Sequence, residues 1–490
     1  VHDFSAVGYY FAREIHRALG VPVGIIDASW GGTPIEAWTS LDALRNVIDV
    51  DRELAEWVRP ADEVARVRAA YQATQLRWEE EHLPNDVGNA GEEKGWALAD
   101  FDDDAWPSMP MPGTWQGRGL PFNGVVWFRK TIDVDPSCAG GDAVLSLGAV
   151  DDFDHTYFNG SLVGSHPKGT PGAYQIHRVY RIPGALVKSG KNVIAVRVFD
   201  HVGEGGLIGP APEMFVETST GERRQSLAGG WRYEVERRVP LVPLDVFRHY
   251  PPVPRFMSPQ DAPAALFRGM IAPLLPFGLR GILWYQGESN VERHGTYKDN
   301  LLAMIRDWRA RFDQGPVPFY LVQLANYIAS PEWANLREAQ TDALSEPSTG
   351  MAVTIDIGDP YDIHPRNKQE VGRRLSLLAL GRAYGRRDIE DSGPSLNRVE
   401  LRDGAAVIHF SHADGLGARG GGATVRGFTV AGSDGVYYEA EARIDERHVV
   451  VTSQRVPAPK SVRYAWADNP DANLENAADL PAAPFRTDRG

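Results

Sequence analysis

Apolar residues Val7, Tyr10, Phe11, Ile15 and Leu19 recur at helical spacing until Gly20 and Pro22 break the pattern, which predicts an amphipathic helix over 4–19. The run VPVGIID at 21–27 is short and continuously apolar, as expected of a strand buried on both faces of a parallel sheet. It leads into Ser29-Trp30-Gly31-Gly32-Thr33, a strand-to-helix turn, with Pro34 and Glu36 suited to the first turn of the next helix. The Ala-rich, charged stretch 51–82 predicts one or two surface helices, and 84–95 a linker. At Trp96 the period falls to two. VVWFRKTIDV (125–134), AVLSLGAV (143–150), HTYFNGSLVGS (155–165) and NVIAVRVFD (192–200), separated by Gly-containing turns, predict an all-β sandwich. Beyond a Pro-rich junction at 240–254, helices are predicted at 264–277, 297–312, 333–344 and 369–384. Strands are predicted between them at 281–285, 318–324 and 351–357. From 391 onward the chain is strand-like again.

The expected organisation is an α/β domain in two parts, 1–58 and 241–388, joined through a helical linker at 59–95. A β-sandwich is inserted at 96–240, and a small β domain closes the chain at 389–490. The length of 490 residues accommodates several domains. With 51 Lys+Arg against 65 Asp+Glu the net charge is −14, which argues against a broad nucleic-acid or anionic-membrane surface. Cys138 is the single cysteine, so there is no intrachain disulfide and no cysteine-based metal site. No run reaches the length of a membrane span, and membrane insertion is not expected. The sequence opens on Val1 and passes directly into helix, so a processed chain or a fragment is expected.

Three polar turns fall just past predicted strands, where α/β proteins place function. In the first, Gly31 and Gly32 let a backbone N–H approach a ligand oxygen closely; a plain tight turn is the competing reading. In the second, Gln286-Gly287-Glu288-Ser289-Asn290, the Gln286 or Asn290 amide can donate to a developing oxyanion, and Glu288 can orient a neighbour or a substrate hydroxyl. A self-capping turn is the alternative there. In the third, His364 lies two residues from Asp362, with Asp359 and Asp356 upstream, a pattern suited to a general base whose imidazolium is stabilised by a carboxylate. The three aspartates also recur every third residue, which leaves a cation loop open, although no calcium-loop consensus is present. Gly415-Leu416-Gly417-Ala418-Arg419-Gly420 fits a dinucleotide pattern but precedes a strand-like segment and is set aside.

The segments FSAVGYYFAREIHRALGVPVGIIDASWGGTPIEAWTS, MIAPLLPFGLRGILWYQGESN, DIHPRNKQEVGRRL and LPAAPFRTD resemble bacterial sialate O-acetylesterases, a branch of the SGNH hydrolases. The resemblance covers nearly the whole chain. It implies a flavodoxin-like three-layer SGNH hydrolase domain interrupted by a sugar-binding-like jelly roll. The implied activity is hydrolysis of acetyl esters on sialic acid or related sugars, without metal or organic cofactor. Its substrate would be an O-acetylated sugar or glycan, and its location secreted or periplasmic. His364 would be the general base. Asp362 would orient it at Asp-x-His spacing, where the family usually has Asp-x-x-His, so Asp359 or Asp356 can serve instead. Gly31 or Gly32, with Gln286 and Asn290, would form the oxyanion hole, and Glu288 and Asp359 would support the site or the substrate. The family's nucleophile lies in an N-terminal Gly-Gln-Ser-Asn type motif that this sequence lacks, so the serine is expected upstream. The alternative is a non-catalytic carbohydrate-binding protein with a degenerate hydrolase pocket.

Overall fold

The structure is a computed structural model that describes residues 4–488 apart from 56, 219–223, 252, 255, 257, 403 and 423. It divides into two compact units, one formed by 1–60 with 255–490 and the other by 61–254.

The first unit is built on three parallel strands, β1 (Ile282–Trp284), β2 (Phe319–Val322) and β3 (Thr349–Ala352), in the order β1-β2-β3. The longer helices that accompany them are α1 (Ala6–Leu19), α2 (His294–Phe312), α3 (Glu332–Asp342) and α4 (Lys368–Leu378). Alternate residues of β2 enter different cores. Phe319 and Leu321 pack with Leu301, Met304, Ile305 and Trp308 of α2 and Leu336 of α3. Tyr320 and Val322 pack with Ile15 of α1 and with Val371, Leu375 and Leu378 of α4. A strand covered on both faces has no polar face, which is why FYLV reads as a continuous apolar run. Helix α1 is set by Ser5, whose Oγ accepts the Gly8 N–H at 3.1 Å, and by left-handed Gly20, which closes it.

Three expectations change in this unit. Residues 20–30 form no strand, because among the described residues no neighbouring strand pairs with VPVGIID; Val21 and Ile26 are exposed. The helix expected at 264–277 is a π-helical turn, Phe267–Ile271, followed by a 3-10 turn, Ala272–Leu274, where Pro273 has no N–H to continue an α-helix. The C-terminal strands, expected as a domain of their own, belong to the first unit. Ile408 and Phe410 of Ala405–Ser411, Val430 of Phe428–Ala431 and Val462 of Ser461–Tyr464 lie in the same core as Leu336 and Phe319.

The second unit holds the helix Ala61–His82 and two antiparallel sheets. One sheet runs Ser108–Met111, Gly229–Val239, Asn123–Val134, Gly190–Asp200, Phe153–Phe158 and Ser161–His166. Val126, Phe128, Val196 and Val198 of that sheet meet Leu145, Leu147 and Val216 of the other. Val125 and Trp127 point the opposite way, under Trp96 and Trp106, so this strand too is buried on both faces.

Candidate active site

The turns after 27, after β1 and after β3 converge at one edge of the first unit. Ser289 Oγ donates to the Gly32 carbonyl at 2.6 Å, and Gln286 Nε2 donates to the Thr33 carbonyl at 3.1 Å. Gln286 Nε2 also donates to Asn290 Oδ1 at 2.7 Å, while Gln286 Oε1 accepts the Tyr297 hydroxyl at 2.9 Å. Asn290 Oδ1 accepts the Ile35 N–H at 2.9 Å, and its Nδ2 donates to Glu36 Oε2 at 2.9 Å. Arg293 pairs with the other Glu36 oxygen at 3.0 Å. The buried Gln286–Asn290–Glu36 network is thereby almost fully partnered, as burial of amides and carboxylates requires.

This placement corrects the role expected of two residues. Both Gln286 amide hydrogens are committed, and Asn290 is fully buried, so these side chains brace the glycine turn instead of presenting open oxyanion donors. Gly31 and Gly32 lie in the turn that this network holds. Gly32 has φ 74°, and a Cβ built on either would meet nothing within 4 Å, so the turn's backbone faces open space. Gly287 is required for a different reason. A Cβ there would come within 2.8 Å of Leu336 Cδ2 and 3.1 Å of Leu324 Cδ2.

The third turn separates its aspartates. Asp356 is buried and bound by Arg374 through both terminal nitrogens, at 2.6 and 2.7 Å, and by Arg419 at 2.9 Å. It is thereby removed both as a partner of His364 and as a member of an aspartate cation loop. Asp359 Oδ1 accepts the Tyr361 N–H at 2.8 Å, a local turn contact. Asp362 alone adjoins the histidine: its Oδ1 accepts the His364 N–H at 2.8 Å and lies 3.4 Å from Nδ1. The His364 ring is 85% exposed.

Glu288 joins this group electrostatically. Burial pushes its carboxyl up, while the Lys368 ammonium and His364 oppose that shift. Burial pulls Lys368 down, against the attraction of Glu288 and Asp362, and its ammonium stands 5.0 Å from the centre of the Tyr285 ring. Lys368, Tyr285 and Arg293 are not singled out in the sequence, and Glu36 only as a helix-start residue. Lys368 opens α4 four residues after His364 in the sequence.

Neither serine in these turns faces a histidine. Ser29 Oγ donates to Asp27 Oδ1 at 2.6 Å, and Ser289 Oγ is held by Gly32. No helix among the described residues is long and apolar enough to cross a membrane.

Residues 267–379, which contain the second and third turns, match a family model described as carbohydrate esterase, sialic acid-specific acetylesterase. The sialate O-acetylesterase of Homo sapiens is 36% identical over 171 residues, covering 30% of this chain and 33% of that protein. That of Mus musculus is 33% identical over 171 residues, covering 30% and 32%. The chain therefore spans 33% of the length of the human relative it matches. Among solved structures, a carbohydrate acetylesterase from Xanthomonas citri is 29% identical, covering 72% of this chain and 96% of that one with a TM-score of 0.46. The segment that carries the Gln286–Asn290 turn and the His364 loop is thus similar in sequence to sialic acid-specific acetylesterases.

Proposed function

We propose that the first unit is the catalytic part of a carbohydrate O-acetylesterase that hydrolyses acetyl esters of sialic acid or related sugars with a serine and His364. The observation that carries this reading is the convergence of the His364–Asp362 loop with the braced Gly31–Gly32 turn, in a segment similar to acetylesterases. A serine hydroxyl attacks the acetyl carbonyl as His364 accepts its proton. Backbone N–H groups of the Gly31–Gly32 turn receive the oxyanion. The C–O bond to the sugar breaks, and the imidazolium returns the proton to the departing alkoxide. Water, deprotonated by His364, then hydrolyses the acetyl-serine and releases acetate. Asp362 stabilises the imidazolium.

The serine is assigned to a strand upstream of the given sequence, completing a flavodoxin-like SGNH sheet. Two features support this: β1 has a strand partner on one side only, and the extended segment 21–27 has none among the described residues. Leu283, Tyr285 and Val23 are only partly buried.

Acetate release from O-acetylated neuraminic acid and from acetylated xylan tests the reading, comparing this chain with one extended upstream. The extended chain is expected to turn over and the shorter one to be inactive. Turnover by the shorter chain that disappears in Ser29→Ala or Ser289→Ala would contradict the assignment. Tight sugar binding by an extended chain without turnover would favour a binding protein.

A further inference from the structure

We propose that a cleft walled by Trp466, among the C-terminal strands of the first unit, binds a neutral sugar unit of a glycan. The cleft measures about 700 Å³, a size common among small-molecule sites. It opens where the chain passes from the strand Tyr437–Glu439 of one sheet to the strand Glu441–Asp445 of another. Its space comes from small residues: Gly427, Ala440, Ala442 and Ala465 line it. The backbone keeps two of these small. Gly427 has φ 96°, and a Cβ there would come within 2.9 Å of Ala472 Cβ. Ala465 has φ 50°, which bulky side chains avoid, and its N–H donates to the Gly427 carbonyl at 2.8 Å.

The remaining lining residues offer both an apolar face and open polar groups. Trp466 is half-buried, and its indole N–H donates to none of the described residues. The indoles of Trp308 and Trp333 in the same unit instead donate to the carbonyls of Trp38 and Ala325, at 3.0 and 2.9 Å. The Glu439 and Glu441 carboxylates are exposed, with no ion pair or hydrogen bond among the described residues. Arg426 and Asp471, both exposed, pair with each other at 2.9 Å. An indole face suits the apolar C–H face of a pyranose. Carboxylates accept its hydroxyls, and the guanidinium and indole N–H donate to its oxygens. Three carboxylates against one guanidinium repel an anion, so the sugar is a neutral one. A cationic peptide would meet the Arg486 guanidinium, which already stands 4.9 Å from the Trp466 ring centre.

The wall of this cleft is tied to the His364 loop. Asp468, two residues after Trp466, accepts the Ala329 N–H at 2.9 Å. Asn469 Oδ1 accepts Asn326 Nδ2 at 2.9 Å, and Asn326 Oδ1 accepts the Gly358 N–H at 2.7 Å, just ahead of Asp359. A sugar held at Trp466 thus rests on the segment that braces the loop, and retains there the glycan that carries the acetyl ester. That last step rests on the acetylesterase reading, whereas sugar binding at the cleft does not.

The test is saturation-transfer NMR observed on the sugar, with calorimetry for affinity, using unacetylated xylotetraose, cellotetraose and galactotetraose so that no turnover is needed. It compares the full chain with His364→Ala, with Trp466→Ala and with Glu439→Gln combined with Glu441→Gln. Saturable binding of at least one sugar is expected, unchanged in His364→Ala and weakened at least ~10-fold in the other two. Trp466→Ala removes the ring beside Arg486 and can disturb the fold, so the double variant, at exposed positions, decides. No binding of any of the three sugars, or unchanged binding in the double variant, would overturn the proposal. Loss of binding in His364→Ala would overturn it by placing the sugar at the loop, and stronger binding of an oligolysine peptide would make the cleft a peptide site. Sugar binding at the cleft with no acetate release by the upstream-extended chain would remove the esterase reading and leave the cleft.

Discussion

Asp356, in the turn after β3, and Asp200, at the end of a strand of the second unit, are buried carboxylates whose surroundings treat them oppositely. Asp356 is gripped by Arg374 with two short bonds and by Arg419 with a third. Asp200 accepts from the Gln116 and Asn123 amides and has no lysine or arginine ion pair among the described residues. Burial pushes Asp200 up to about 7, with the Asp152 charge adding to it and the Asn123 and Gln116 bonds opposing. The difference teaches that burial does not by itself fix the role of an acid. A guanidinium partner makes Asp356 a structural pin of the His364 loop, whereas its absence leaves Asp200 open to a proton.

The comparison can be broken most severely at Arg374. Arg374→Ala leaves Asp356 to Arg419 and Glu370 to Arg373, and it is expected to destabilise the first unit by up to ~3 kcal/mol, the low end for a broken buried pair, read by peptide-level hydrogen exchange in urea. Raising pH acts on the other side of the comparison. The folded chain keeps a proton on Asp200 that the unfolded chain loses near its ordinary pKa. The sandwich therefore holds this contribution in full below about pH 4 and loses it as pH rises to about 7. Asp151 and Asp152, also pushed up by burial, act in the same direction, so Asp200→Asn should lower the slope seen in pH-dependent urea melts by up to ~1.4 kcal/mol per pH unit without abolishing it. A smaller effect is expected at the brace. Ser289→Ala removes one bond to Gly32 and should cost ~1 kcal/mol in the same exchange measurement. His364→Ala should change stability by less than ~0.5 kcal/mol, because its ring is exposed.

Much of this arrangement was legible in the sequence, and the exceptions have physical causes. FYLV could be read as a buried strand because both its faces are covered, and the three polar turns could be read as a site because they follow strands or strand-like segments. VPVGIID carried the same signal but forms no strand, since pairing depends on a neighbour that its own residues do not encode. The sequence leaves the partner of His364 open among three aspartates. Only the fold shows that Arg374 and Arg419, distant in sequence, take Asp356 away. Gln286 and Asn290 looked like donors because amides in a turn can donate. Their commitment to Thr33, Ile35 and Glu36 is a long-range fact. Asp200 gave no signal at all, because VRVFD reads simply as a strand end.

The central claim is that His364 performs acid–base chemistry at the edge of the first unit. Its most direct test is acetate release from an O-acetylated sugar by the upstream-extended chain and by its His364→Ala variant, both confirmed as folded. Loss of a general base typically costs ~10²–10⁴-fold, so a drop in kcat/KM of at least ~100-fold with unchanged melting is the predicted result. A variant that retains its rate within about threefold would contradict the account.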